Sequence, residues 1–169
     1  GKKFGIIGTG AIGLRVARIA NAFGCKVYAY SRTRREAENI EYVDLDTLLS
    51  TCDIVSLPVP QNNETIGMIN QEKLALMQPH AILINTARGP IVDSKALAEA
   101  LKAGRLAGAG VDVFEMEPPV PEDHPLFGAP HLIATPHVAF ASAQAMEKRA
   151  VIVCENLKAW LDGTPQNVI

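Results

Sequence analysis

The chain has 169 residues, 48% of them hydrophobic, enough for one domain with a real core. Sixteen basic residues (Lys+Arg 16) against Asp+Glu 18 give a net charge of −2, which excludes a broad field of the kind that draws nucleic acid or a membrane surface. No apolar run approaches the roughly eighteen residues that span a bilayer, and no signal-peptide pattern is present. Cys25, Cys52 and Cys154 are far apart in apolar or strand-like surroundings. They are expected to be buried, reduced thiols of a cytoplasmic protein, with no disulfide framework and no metal site.

Residues 3–32 organise the remainder. A short apolar run (Phe4, Ile6, Ile7) leads into Gly8-Thr9-Gly10-Ala11-Ile12-Gly13. A helical pattern follows, with Ile12, Val16, Ile19, Ala20 and Phe23 on the expected core face and Arg15 and Arg18 off it. Gly24 stops this helix, and Lys26–Tyr30 reads as a second strand. Strand, glycine turn, helix and strand within about thirty residues is the context that the dinucleotide-binding fingerprint requires. Gly8 allows the tight turn, Gly10 lacks the Cβ that would hold a pyrophosphate away, and Gly13 lets helix and strand pack closely. The helix N-terminus offers N–H groups and a positive dipole end to phosphate. An ordinary tight turn is the competing reading, and the two flanking buried strands decide against it.

An acidic residue about twenty positions beyond the glycine turn accepts the adenosine ribose 2′-OH of NAD. That position holds Ser31, followed by Arg32, Thr33, Arg34 and Arg35. A carboxylate would repel the 2′-phosphate of NADP, whereas a hydroxyl and a guanidinium bind it. NADP(H) is therefore favoured, with NAD(H) as second choice; the bland alternative is a solvated basic turn.

Residues 34–39 and Asp46–Ser50 read as short helices. Asp53–Leu57 reads as a buried parallel strand ending in the loop Pro58–Asn63, at the carboxyl edge where open α/β sheets bind ligands. Glu64–Asn70 and Gln71–Met77 read as further short helices, the second broken by Pro79-His80. Ala81–Asn85 is the fourth expected strand, and Thr86-Ala87-Arg88-Gly89-Pro90 follows it at the same edge. Small neighbours and the Gly-Pro turn hold Arg88 there, where an isolated arginine would otherwise be a surface residue. Asp93 or Ser94 caps a helix through Leu101, closed by Gly104. Leu106–Val113 is a glycine-rich fifth strand whose Asp112, among apolar neighbours, needs a donor; a nicotinamide carboxamide is one candidate. Phe114–Ala129 is a proline-rich, acidic connection of a length usually reserved for function. His131–Thr135 is the sixth strand, ended by Pro136-His137. Ser142–Leu161 is a long amphipathic helix (Ala145, Ala150, Val153, Leu157, Trp160, Leu161) ending at Gly163. His80, His124 and His131 read as turn residues. This alternation predicts an α/β fold of Rossmann type, a doubly wound parallel sheet forming a single NAD(P)-binding domain over residues 1–169. The start at Gly1, directly before the first strand, is expected of a domain cut from a longer two-domain protein, its substrate domain absent from this chain.

Gly8–Gly13, Asn85–Gly89, Val111–Phe114 with Glu117-Pro118, and Thr135-Pro136-His137 together resemble the D-isomer-specific 2-hydroxyacid dehydrogenases, over essentially the whole chain. The branch they are most similar to holds the glyoxylate/hydroxypyruvate reductases and phosphoglycerate dehydrogenases. The resemblance implies hydride transfer between a nicotinamide cofactor and a D-2-hydroxy or 2-keto acid. It implies that Arg88 binds the substrate carboxylate and keto oxygen, that His137 is the acid/base, and that Glu117 is its partner. The chemistry is coherent in itself, since a keto acid needs a cation for its carboxylate and a proton for the developing alkoxide. Glu115 is the rival to Glu117, which is preferred because it directly precedes the proline. The resemblance also implies pyrophosphate contacts from the backbone of Ala11 and Ile12, adenosine-ribose contacts from Ser31 and Arg32, and an adenine wall of Val59, Pro60 and Thr65. Thr86, Ala87, Arg88 and Asp112 surround the nicotinamide end. Ala11 stands where many relatives have Arg, and Pro58 where they often have His or Cys. A homodimer is expected, and an isolated domain is expected to be inactive alone. An NAD(P)-sensing, corepressor-type protein on the same scaffold is the alternative, which could dispense with the catalytic set.

Overall fold

A computed structural model describes residues 1–116 and 119–168. The chain divides into two compact units, Gly1–Pro136 and the segment from His137 onward. In the first unit the elements run β1 (Lys3–Ile7), α1 (Ala11–Ala22), β2 (Lys26–Tyr30), β3 (Ile40–Tyr42), α2 (Leu45–Thr51), β4 (Ile54–Ser56), α3 (Gln71–Leu76), β5 (Ile82–Asn85), α4 (Ser94–Lys102), β6 (Gly108–Val111) and β7 (Leu132–Ala134). The strands form one sheet in the order β3-β2-β1-β4-β5-β6-β7, every pair parallel. This is the doubly wound Rossmann arrangement expected from the sequence, and its chain order reverses between β1 and β4, the switch point where such sheets open a crevice.

Alternation along the strands sorts the core into two layers. Ile7, Tyr28, Val55 and Leu83 join the larger cluster with Leu48, Leu49, Leu74, Leu97 and Leu101 of α2, α3 and α4. Ile6 and Val27 pack on the other face against Ala17 and Ala20 of α1, with Phe4, Val16 and Ile40 at the edge. Short side chains cap the helices: Asp44, Asn70 and Asp93 each accept from a backbone N–H in the first turn of α2, α3 and α4.

The structure corrects several expectations. The buried face of α1 is Gly13, Ala17 and Ala20 with Val16 half-buried, whereas Ile12, Ile19 and Phe23 are exposed. Both sets have helical spacing, and closeness decides between them. A Cβ on Gly13 would collide with the carbonyl oxygen of Gly8, so the helix lies too near the strand for large side chains. Residues 34–39 form no helix; the Tyr42 hydroxyl accepts from Arg35 N–H at 3.1 Å and donates to its carbonyl at 2.9 Å, pinning the segment before β3. Glu64–Asn70 is likewise a set of turns, because Asn62 Oδ1 captures the amides of Glu64 and Thr65. Only Cys52 of the three cysteines is buried, and burial pushes its thiol pKa up to about 12; Cys25 is half-buried and Cys154 exposed.

The second unit contains α5 (Ala143–Leu161), whose first turn is capped by Ser142 Oγ and which ends before Gly163 at φ +72°. Taken by itself, this helix has no buried side chain, so the expected amphipathic stripe forms no core of its own. Among the described residues no helix is long and apolar enough to cross a membrane.

Replacing Gly13 by Ala forces backbone apart, and overpacking of this kind costs about 1–3 kcal/mol or more. Chemical denaturation should show that loss, and a variant as stable as wild type would mean that α1 does not approach the glycine bend this closely.

Candidate functional site

The site begins at the switch point. A cleft of about 400 Å³ opens there, lined by Gly8 and Gly10 after β1, Ser31 and Arg32 after β2, and Val59, Pro60 and Thr65 after β4. Each strand delivers its loop to the same carboxyl edge because all are parallel. Gly8 takes φ +103°, a left-handed backbone that favours glycine, and its N–H donates to the Tyr30 carbonyl at 2.8 Å. Thr9, almost fully buried, donates through Oγ1 to the Thr33 carbonyl, tying the bend to the β2–β3 connection. On the far wall Thr65 Oγ1 donates to the Pro60 carbonyl and accepts from the Asn62 amide, both at 2.8 Å, which rigidifies the loop after β4.

The bend fits a dinucleotide pyrophosphate. A Cβ on Gly10 would meet nothing within 4 Å, so the backbone there faces open space inside the cleft. Gly10 is also the N-cap of α1, where no side chain caps the helix and no acidic residue occupies the first turn. The first amides, including those of Ala11 and Ile12, therefore retain donors and a positive dipole end suited to an anion.

A second cluster lies at the ends of β5 and β6. Asn85 is fully buried, and its side chain holds the next turn from both sides: Nδ2 donates to the Arg88 carbonyl at 3.0 Å and Oδ1 accepts from the Ala87 amide at 3.1 Å. Thr86 and Arg88 are exposed on this turn, with Arg88 Nη1 donating to the Ala87 carbonyl at 2.6 Å. A Cβ on Gly89 would collide with the backbone of Phe114, so the arginine turn sits directly on the start of the 114–129 connection. Asp112, 2% exposed, accepts from Thr135 Oγ1, which meets the demand of a buried carboxylate for a donor.

The 114–129 connection carries a feature not anticipated from sequence. His124 Nε2 lies 2.9 Å from Glu115 Oε2, and its ring packs against Phe114 and Phe127. His80 is likewise paired, with Asp53 at 2.8 Å. Burial pushes the Glu115 carboxyl up, but hydrogen bonds from Ser94 and His124 outweigh it and leave the group below the ordinary carboxylate range. Glu115 is thus engaged within the first unit. Glu117 itself lies outside the described residues. His137 opens the second unit with a left-handed backbone at φ +55° and its ring edge-on to Phe140 at 6.0 Å. Such strained backbone in a residue other than glycine gathers at functional positions. The structure therefore brings Gly8, Gly10, Ser31, Arg32, Val59, Pro60 and Thr65 together in the cleft and sets Thr86, Ala87, Arg88 and Asp112 on neighbouring strand ends. Thr9 and Glu64, which line the cleft, went unread because their partners are distant in the chain, and Asn85 because it reads as the end of an apolar strand.

Fold and cleft together define a dinucleotide-binding domain of the doubly wound class. A profile of the D-isomer specific 2-hydroxyacid dehydrogenase family, NAD binding domain, matches residues 1–139. A glyoxylate reductase of Thermococcus litoralis is 48% identical over 100% of this chain and 52% of its own length. Among solved structures, an acyclic imino acid reductase in complex with NADPH and D-Arg superposes with TM-score 0.91 at 39% identity, covering 99% of this chain and 53% of that one. The D-lactate dehydrogenase of Aquifex aeolicus complexed with NAD and lactic acid gives 0.89 at 37% identity, covering 96% and 54%. The chain belongs to the D-isomer specific 2-hydroxyacid dehydrogenase family, to which it contributes the NAD-binding domain, and it spans about half the length of the curated relatives it matches.

Gly10→Ala separates fold from site, since the added methyl meets open space in the protein but stands where a pyrophosphate would lie. Thermal stability should stay near wild type while NADH and NADPH affinity falls; unchanged affinity would remove the bend from the site. Glu115 adds stability above the unfolded carboxylate pKa of about 4.3, and this is lost as pH falls through the lower folded value. Glu115→Gln should therefore lower Tm near neutrality and converge on wild type in acid, by a modest amount for a partly exposed group. A Tm gap that persists undiminished in acid would count against this assignment.

Proposed function

We propose that the protein carrying this chain interconverts 2-keto acids and D-2-hydroxy acids, with residues 1–169 as the nucleotide domain of a longer two-domain enzyme. The observation that carries this reading is the glycine-lined cleft at the sheet's switch point, with Arg88 presented from the end of the neighbouring β5. The T. litoralis relative, named a glyoxylate reductase, and a Blautia hydrogenotrophica relative, named a hydroxypyruvate reductase and 41% identical, support small 2-keto acids as the substrate class.

In this reading Gly8, Gly10 and Gly13 leave room for the pyrophosphate, and the amides of Ala11 and Ile12 bind it. Ser31 and Arg32 hold the adenosine ribose, Val59, Pro60 and Thr65 face the adenine, and Thr86, Ala87 and Asp112 border the nicotinamide. The bound nicotinamide supplies or accepts the hydride. Arg88 pairs with the substrate carboxylate and polarises the keto oxygen, a task suited to a planar guanidinium with several donors. His137 delivers a proton to the developing alkoxide oxygen, and takes it back in the oxidative direction, with Glu117 orienting the ring. Ser31 and the arginines that follow it favour NADP(H) over NAD(H). The protein is assigned to the cytoplasm, as a homodimer; light scattering that gives a monomer at micromolar concentration would overturn the dimer.

With the full-length protein, His137→Gln should cut turnover of glyoxylate or hydroxypyruvate by about 10²–10⁴-fold while NADPH still binds. Arg88→Gln should raise KM and lower kcat together. Wild-type turnover of neither acid would favour a nucleotide-sensing role instead. Ser31→Asp should weaken NADPH and spare NADH, and absence of any wild-type advantage for NADPH would defeat the stated preference.

A further inference from the structure

The arginine expected to meet a 2′-phosphate is already engaged. Arg32 Nη1 lies 2.6 Å from Glu64 Oε2, and both residues line the cleft, one from the wall after β2 and the other from the wall after β4. The two partners, donor and acceptor, are not equally mobile. The amides of Glu64 and Thr65 are held by Asn62 Oδ1 at 2.9 and 3.1 Å, and buried Thr65 is fastened to Pro60, so the carboxylate is carried on a rigid turn. The Arg32 side chain, 77% exposed, extends from a connection without regular structure. Arg34 is occupied elsewhere, over the ring of Tyr42, while Arg35 lines the same cleft.

We propose that Glu64 is a specificity-determining residue, whose carboxylate competes with the 2′-phosphate of NADP(H) for Arg32 and so limits the preference that Ser31 and Arg32 would otherwise confer. The inference rests on the dinucleotide reading of the cleft given above. A 2′-phosphate carries close to two negative charges and gathers guanidinium donors, so it competes with Glu64, which holds Nη1, for the full fork of Arg32. A ribose 2′-OH makes no such demand, and NAD(H) enters without breaking the pair. Because the pair is solvent-exposed, the competition is worth a modest factor and not an absolute block.

The test is fluorescence titration of NADPH and NADH against the full-length protein and three variants, Glu64→Gln, Arg32→Gln and the double substitution, with thermal melting to confirm that each is folded. Glu64→Gln should raise the ratio of NADPH to NADH affinity by about twofold to fivefold. Arg32→Gln should lower that ratio, and adding Glu64→Gln to it should change the ratio no further. An unchanged ratio in Glu64→Gln, or an equal rise with and without Arg32, would overturn the proposal, the latter because Glu64 would then act on the phosphate directly. Failure of the wild type to bind either dinucleotide would instead defeat the underlying reading of the cleft, and this inference with it.

Discussion

The site depends on how closely α1 approaches the bend that precedes it. Gly13 sits so near the Gly8 carbonyl that no side chain fits between them. That contact brings the first turn of the helix up against the end of β1 and leaves its N-terminal amides facing the cleft. The same contact explains why small residues, Gly13, Ala17 and Ala20, form the buried face and larger ones point outward. Packing there exchanges hydrophobic area for proximity, and the proximity gives the N-terminus its use.

Most of the architecture was legible because each parallel strand here is a short apolar run bounded by turn chemistry. β1, β2, β4, β5, β6 and β7 all fall within runs readable from Phe4, Val27, Val55, Leu83, Ala109 and Ile133. β3 was missed because Ile40–Tyr42 is only three residues long, with Glu41 at its centre; it forms by pairing with β2, a partner that local sequence does not display. The supposed helices at 34–39 and Glu64–Asn70 failed for a related reason. A Tyr42 hydroxyl and an Asn62 carboxamide claim backbone groups that an isolated segment would have spent on its own helix.

The site was legible in its backbone and less so in its side chains. Glycine spacing and strand ends located the cleft, since those depend on chain direction alone. Glu64 facing Arg32 and His124 facing Glu115 depend on residues brought together only by folding. Asn85 is hidden for a different reason: its partners are local, but as the last residue of an apolar strand it reads as a boundary, while its side chain satisfies the turn that presents Arg88.

That buried carboxamide, with Gly89 lodged against Phe114, leaves the arginine on a pedestal shared by two strand ends and the connection beyond β6. The Asp112 amide donates to the Asn85 carbonyl at 2.9 Å, so even the pedestal's base is cross-braced. A charge mounted in this way has an origin fixed by the fold's own hydrogen bonds. What freedom remains belongs to the exposed side chain itself, not to the guanidinium's own foundation.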